Sequence, residues 1–261
     1  MSEIHPTAII EEGAQVGADC VIGAYCVIGS KVRLGDRVEL KPHVVVTGDT
    51  EIGEDTTIYS FSVIGEIPQD KKFGGEDTKL VIGKRNRIRE HVTMNCGTEG
   101  GGGITRVGDD GLFMAGCHIA HDCQVGDRVI VVNQVALAGH VVLGDDAIIG
   151  GLSGVHQFVR VGKGAIVGGL TKVTHDVIPY GQVQAAAGSL VGLNLVGLRR
   201  RGVPREDISA LRDGFKALAG SEGSFQDRAR ALRDSTQSAY VREITDFILS
   251  DSDRSFHTPK V

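Results

Sequence analysis

Every sixth residue from Ile4 is aliphatic. The series runs through Ile10, Val16, Ile22, Ile28, Leu34, Leu40, Val46, Ile52 and Ile58 to Ile64 without a miss. Four residues after each stands a small or short-branched side chain (Ala8, Ala14, Cys20, Cys26, Val32, Val38, Val44, Thr50, Thr56, Ser62), and a glycine often follows the aliphatic residue directly, as at Gly17, Gly23, Gly29, Gly35 and Gly53. Neither an α-helix nor an alternating strand has this period. Short strands joined by turns that need a permissive residue do, and such hexads predict an all-β parallel β-helix: three flat sides of six residues make an eighteen-residue coil, each strand pairing with its copy about 4.8 Å above.

The rhythm breaks twice. Residues 66–79 read as a loop excursion, and because Ile82 lies eighteen residues after Ile64 the excursion is expected to take the place of one coil. A second break at 97–105, rich in glycine, shifts the frame and reads as a flexible surface insertion, not a phosphate loop, since no Gly-Lys-Ser/Thr follows it. From Val107 the hexads run unbroken to Val173. Beyond Pro179 the signals turn helical. Pro204 suits a first turn with Glu206 and Asp207 near its positive end, Ile208, Leu211, Phe215 and Leu218 share a face, and Gly220 is the stop; two further helices are expected over 224–235 and 239–249. The expected organisation is a β-helix over 1–186 and a small α-helical C-terminal domain over 187–261 that covers the open edge of the prism.

Composition adds exclusions. With 37 glycines, no tryptophan and 5% aromatics, small and branched aliphatic residues must build the core. A net charge of −5 gives no sign of a nucleic-acid binder. No basic, apolar leader opens the chain and no run of eighteen apolar residues occurs, so neither an integral membrane segment nor export is expected, and the reading is cytoplasmic. The five cysteines form no CxxC pair; Cys20, Cys26, Cys117 and Cys123 all fall at inward-pointing positions and read as core residues rather than nucleophiles.

The hexad frame also shows which polar residues gather. His121 lies one coil below Gly139, which lies one coil below Gln157, and His140 and His156 flank that column; His118 stands three residues before His121. His121 occupies the third position of its hexad, so it is expected to project outward to solvent, from a face that offers no pocket of its own. A working site would then need a second prism alongside, which implies an oligomer with clefts between subunits. Stacked imidazoles also leave a zinc site open as an alternative, with His118, His121 and His140 as ligands. A non-catalytic scaffold is the third reading. Arg199, Arg200 and Arg201 offer fixed charge to phosphates or an acidic partner.

Several stretches together resemble one family: Gly65-Glu66 leading to Gln69-Asp70, Ile82-Gly83 leading to Asn86-Arg87-Ile88-Arg89-Glu90, His118-Ile119-Ala120-His121-Asp122-Cys123, Ala138-Gly139-His140, Val155-His156-Gln157-Phe158 and Gly197-Leu198-Arg199-Arg200-Arg201-Gly202. The chain resembles the bacterial UDP-N-acetylglucosamine acyltransferases, of the hexapeptide-repeat acyltransferases, which catalyse the first step of lipid A synthesis. The resemblance implies a left-handed β-helix, where general connection rules alone would favour right-handed crossovers, and a homotrimer with sites between subunits. It implies transfer of an (R)-3-hydroxyacyl chain from the phosphopantetheine thioester of acyl carrier protein to the sugar 3-hydroxyl, with no metal or other cofactor. By motif, His121 would be the general base, Asp122 would orient it and the Gly139 N–H would be the oxyanion donor. Asp70, Lys72, His118, His140, His156, Gln157, Asn194 and Arg200 would contact substrate, and Gly169 would stand at the acyl-chain-length position, stacked on Gly151. Two positions depart from the family pattern: Val196 stands where a carboxylate is expected and Ala187 where a polar ring is expected.

Overall fold

The computed structural model describes residues 1–184 and 189–259. Its strands, most of two residues, assemble into three sheets of eleven, nine and eight strands, and nearly every neighbour in a sheet comes from the coil above or below in parallel register. Ile4 pairs with Ile22, Ile10 with Ile28 and Val16 with Leu34, so three successive strands step round three sides and return after eighteen residues. The aliphatic first position and the small fifth position of each hexad fill the interior from Cys20 onward. The buried hydroxyls at fifth positions are satisfied, Thr56 Oγ1 donating to Gly83 O at 3.2 Å and Ser62 Oγ to Arg89 O at 2.7 Å. Burial pushes the Cys117 and Cys123 thiols up to about 12, as inert core residues.

Two details of the hexad differ from the sequence reading. The left-handed backbone found at most corners falls at the fourth position, and eighteen non-glycine residues among those described adopt it, from Asp19 (φ 55°) to Tyr180 (φ 61°). The glycines at the second position serve another purpose: a Cβ on Gly53 would lie 2.6 Å from the Gly83 carbonyl carbon one coil up, so they permit close coil stacking rather than a turn. The excursion at 66–79 does not replace a coil. Ile52 pairs with Ile82, Ile58 with Ile88 and Ile64 with Met94, so that coil is thirty residues long, an ordinary coil with twelve residues added to one side. The next coil, Ile82 to Val107, carries the frame-shifting loop 97–105.

At one corner the fourth positions stack as Asp19, Arg37, Asp55, Arg85, Asp110, Arg128 and Asp146, alternating in sign. Arg37 Nε donates to Asp55 Oδ1 and Arg85 Nε to Asp110 Oδ1, both at 2.7 Å, and Arg128 Nε to Asp146 Oδ1 at 3.0 Å. Exposed pairs of this kind add little stability singly.

The prism ends in an antiparallel strand, Ser189–Leu193, laid on the edge of the eleven-stranded sheet. Four helices follow: α1 (Leu195–Arg200), α2 (Arg205–Ala219), α3 (Phe225–Ser235) and α4 (Ala239–Leu249). Pro204 is the N-cap of α2 and Gly220 its C-cap; Ile208, Leu211 and Leu218 are buried and Phe215 packs beside them. A capping box between Ser224 and Asp227 starts α3. The short α1 was not foreseen, because its periodicity is too brief to register. The expected change of structure between 186 and 187 lies outside the described residues.

Candidate active site

The nine-stranded sheet carries His118, Ala136, Gly154 and Lys172 as successive outward residues, paired coil to coil. The small pair Ala136 and Gly154 leaves a groove above His118. The excursion supplies a wall, so Gln69, Asp70 and Lys72 face His118, His121, Gly139, His156 and Gln157 across a cleft of about 800 Å³. A single chain therefore forms a pocket, contrary to the expectation of a bare face.

His121 does not project into solvent either: it is 6% exposed and Asp122 3%. The glycine-rich stretch covers the aspartate. Thr98 N–H donates to Asp122 Oδ1 at 2.8 Å and Thr98 Oγ1–H to Oδ2 at 2.6 Å, while Asp122 N–H donates to Thr105 Oγ1 at 2.7 Å. A Cβ on Gly101 would collide with the Asp122 carboxyl. Thr98, Gly101 and Thr105 thus make part of 97–105 a fitted cover for Asp122, while Gly100, Gly102 and Gly103 border open space. Thr98, Thr105 and Gly101 went unseen in the sequence because a frame-shifting loop carries no periodic signal.

The carboxyl of Asp122 also meets His121 Nδ1 at 2.8 Å. With both carboxyl oxygens accepting from donors, Nδ1 is the protonated ring nitrogen and Nε2 keeps its lone pair for the cleft. The ring lies directly under Gly139, where any Cβ would collide with it. At the opposite corner, third-position amides are occupied by carboxylates, as where Lys84 N–H donates to Asp109 Oδ1. The Gly139 N–H has no such partner among the described residues. His140 stacks on Phe158 at 4.4 Å and meets the edge of His121 at 5.1 Å. Burial lowers its pKa and that of His118, whose Nδ1 lies 2.7 Å from Thr93 Oγ1.

The cleft brings together Asp70, Lys72, His118, His121, Gly139, His156 and Gln157, with Asp122 and His140 behind them. The remaining predicted residues lie elsewhere in the chain. Asn194 is the N-cap of α1, accepting from Gly197 N–H at 3.0 Å and donating to Gly164 O at 3.0 Å. Arg200 stands exposed in the last turn of that helix, and Val196 is also exposed. Gly169 packs against Gly151 as expected, a Cβ there lying 3.2 Å from Gly151 O, but outside this cleft. Ala187 lies outside the described residues. Among the described residues, the metal-type donors that lie together are His121, Asp122 and His140, not the three histidines considered from the sequence. Both Asp122 oxygens are already engaged by Thr98 and His121, so a metal would have to displace them.

Fold and site define a hexapeptide-repeat β-helix with a histidine–aspartate centre, and similarity to known proteins narrows the class. Residues 176–257 match the family described as Udp N-acetylglucosamine O-acyltransferase; Domain 2. The chain is 54% identical over 258 residues, 98% of each chain, to the acyl-[acyl-carrier-protein]–UDP-N-acetylglucosamine O-acyltransferase of Caulobacter vibrioides. It is 61% identical over 202 residues, 77% of each chain, to that of Paracoccus denitrificans. The solved UDP-N-acetylglucosamine acyltransferase from Campylobacter jejuni superposes with a TM-score of 0.93 at 39% identity, covering 99% of this chain and 100% of its own. The chain belongs to the UDP-N-acetylglucosamine O-acyltransferase family.

Proposed function

We propose that this chain transfers an (R)-3-hydroxyacyl group from acyl carrier protein to the 3-hydroxyl of UDP-N-acetylglucosamine, the first step of lipid A biosynthesis, by direct general-base catalysis. The observation that carries the mechanism is the line Thr98–Asp122–His121 ending under the Gly139 N–H, which has no partner among the described residues.

A sugar hydroxyl is a poor nucleophile at neutral pH. His121 Nε2 takes its proton as the oxygen attacks the thioester carbonyl, and Asp122 holds the ring and balances its charge. The carbonyl oxygen becomes an oxyanion facing the Gly139 N–H, and glycine there lets the thioester approach the backbone. As the intermediate collapses, the C–S bond breaks and His121 returns the proton to the departing phosphopantetheine thiolate. Ester and free thiol leave with no acyl-enzyme and no metal in the cycle. Asp70, Lys72, His118, His140, His156 and Gln157 hold the acceptor.

Asn194 and Arg200 lie away from the cleft of their own chain, so their contact with the same substrate calls for a neighbouring copy, which supports a homotrimer. The groove over Ala136 and Gly154, with Gly151 and Gly169 at the next corner, supports an acyl path across the sheet. The family likeness supports a left-handed winding and a distinct C-terminal domain, whose family match begins at residue 176 rather than 187. No helix among the described residues is long and apolar enough to cross a membrane, in keeping with cytoplasmic encounter with acyl carrier protein. Incubating the purified chain with hydroxyacyl carrier proteins of graded length and UDP-N-acetylglucosamine, with mass spectrometry of the nucleotide sugar, tests the reading. An O-acylated product is expected; its absence with every donor would overturn it.

A further inference from the structure

The coil-to-coil ladder beside the site has a regular form. A third-position carbonyl accepts from the fourth-position N–H one coil up: His140 N–H donates to His121 O at 3.0 Å and Phe158 N–H to Gly139 O at 3.2 Å. The next rung would be Asp176 N–H to Gln157 O. It is missing, because the last coil is two residues short: Val161 pairs with Val177 and Val167 with Val183. Asp176 N–H turns instead to Ser255 O at 2.8 Å, and Arg254 Nε donates to Gln157 O at 3.1 Å.

Arg254 belongs to the strap 250–257 that follows α4. The strap is riveted to the prism independently of that contact. Arg160 Nε donates to Asp176 Oδ2 at 2.7 Å, with the aspartate side chain wholly buried. Arg160 Nη1 donates to Ser250 Oγ at 2.8 Å and Asp251 O at 2.9 Å, and Ser252 Oγ to Asp176 Oδ2 at 2.6 Å. The Arg160 guanidinium also lies 4.6 Å over the Phe247 ring. His257 N–H donates to Asp176 O at 2.8 Å, closing a parallel bridge between Asp176 and Phe256.

We infer that Arg254 is a positioning residue of the acceptor site, standing in for the missing rung and fixing the corner His156–Gln157–Phe158 through the Gln157 carbonyl. This rests on the proposed function in that His156 and Gln157 are taken to hold the acceptor. The corner reaches the centre by two routes: His156 and Gln157 line the cleft, and Phe158 supports His140, which abuts His121. The strap is therefore part of the site, although none of its residues lines it.

The test compares wild type, Arg254→Ala and Arg254→Lys by amide hydrogen exchange over 154–160, by KM and kcat for UDP-N-acetylglucosamine, and by thermal melting. In Arg254→Ala faster exchange confined to that corner is expected, with KM raised about tenfold and the melting curve nearly kept, as befits loss of one charged hydrogen bond. Arg254→Lys, which can still donate to the carbonyl, should recover most of the KM. Unchanged exchange at the corner overturns the inference. So does an unchanged KM in an active enzyme, including one whose only change is a lower melting temperature. If wild type makes no product, the proposed function fails while exchange still decides the role of Arg254.

Discussion

Gly139 has two duties at a single atom's absence. It leaves room for the His121 ring beneath it, and its N–H, unclaimed by the coil ladder, faces the same space. Gly139→Ala keeps the N–H but is expected to displace the imidazole while the fold holds, lowering kcat by a factor on the order of 10² to 10⁴, the range for a positioned general base; steady-state kinetics beside circular dichroism would show it. Counting by six was enough to stack His121, Gly139 and Gln157 in one column. It could not show that Asp122 is sealed, because Thr98 and Gly101 reach it across a frame shift. Nor could it reveal Arg254, which comes from the far end of the chain. Asn194 shows what motif resemblance leaves out: besides the substrate contact it implies, the side chain caps α1 and anchors that helix to Gly164.

At the scale of the coil, the second-position glycines act through sterics. Gly53→Ala would place its Cβ 2.6 Å from the Gly83 carbonyl carbon, and overpacking of this kind costs about 1–3 kcal/mol. A clearly lower melting temperature is expected, against little change for Gly100→Ala, whose Cβ would meet nothing within 4 Å. Hexad spacing reveals that these glycines matter but not why, since stacking distance has no one-dimensional signature. The charged corner ladder was hidden for a related reason: its partners lie eighteen, thirty or twenty-five residues apart, depending on which coil carries an insertion. The strap carries a titration of its own. His257 is buried against His175, its Nε2 has no partner among the described residues, and burial lowers its pKa to about 4 from an ordinary 6.5. The unfolded chain takes up that proton first, so stability holds above pH 6.5 and falls as the pH drops toward 4. Melting curves across that window should decline less steeply for His257→Gln than for wild type.

For the whole molecule, period-six patterning was legible almost throughout because each coil repeats the same packing problem, whereas the helical region had to be inferred from caps and short apolar faces. The three-sheet prism supplies a rigid column for the histidines, and its two insertions supply what the repeat lacks: one walls the cleft and the other seals Asp122. Assembly belongs to the same proposal, in which Asn194 and Arg200 reach the cleft of a neighbouring copy; light scattering at micromolar concentration is expected to give three times the 27.6 kDa chain mass. Catalysis is proposed to turn on one step, in which His121 takes the proton of the sugar hydroxyl. Its most direct measurement is the single-turnover rate of hydroxyacyl transfer by His121→Ala, with UDP-N-acetylglucosamine binding followed by calorimetry in the same preparation. A rate lower by about 10² to 10⁴, with acceptor affinity retained, is predicted from the worth of a positioned general base. Transfer within twofold of wild type would rule out that step.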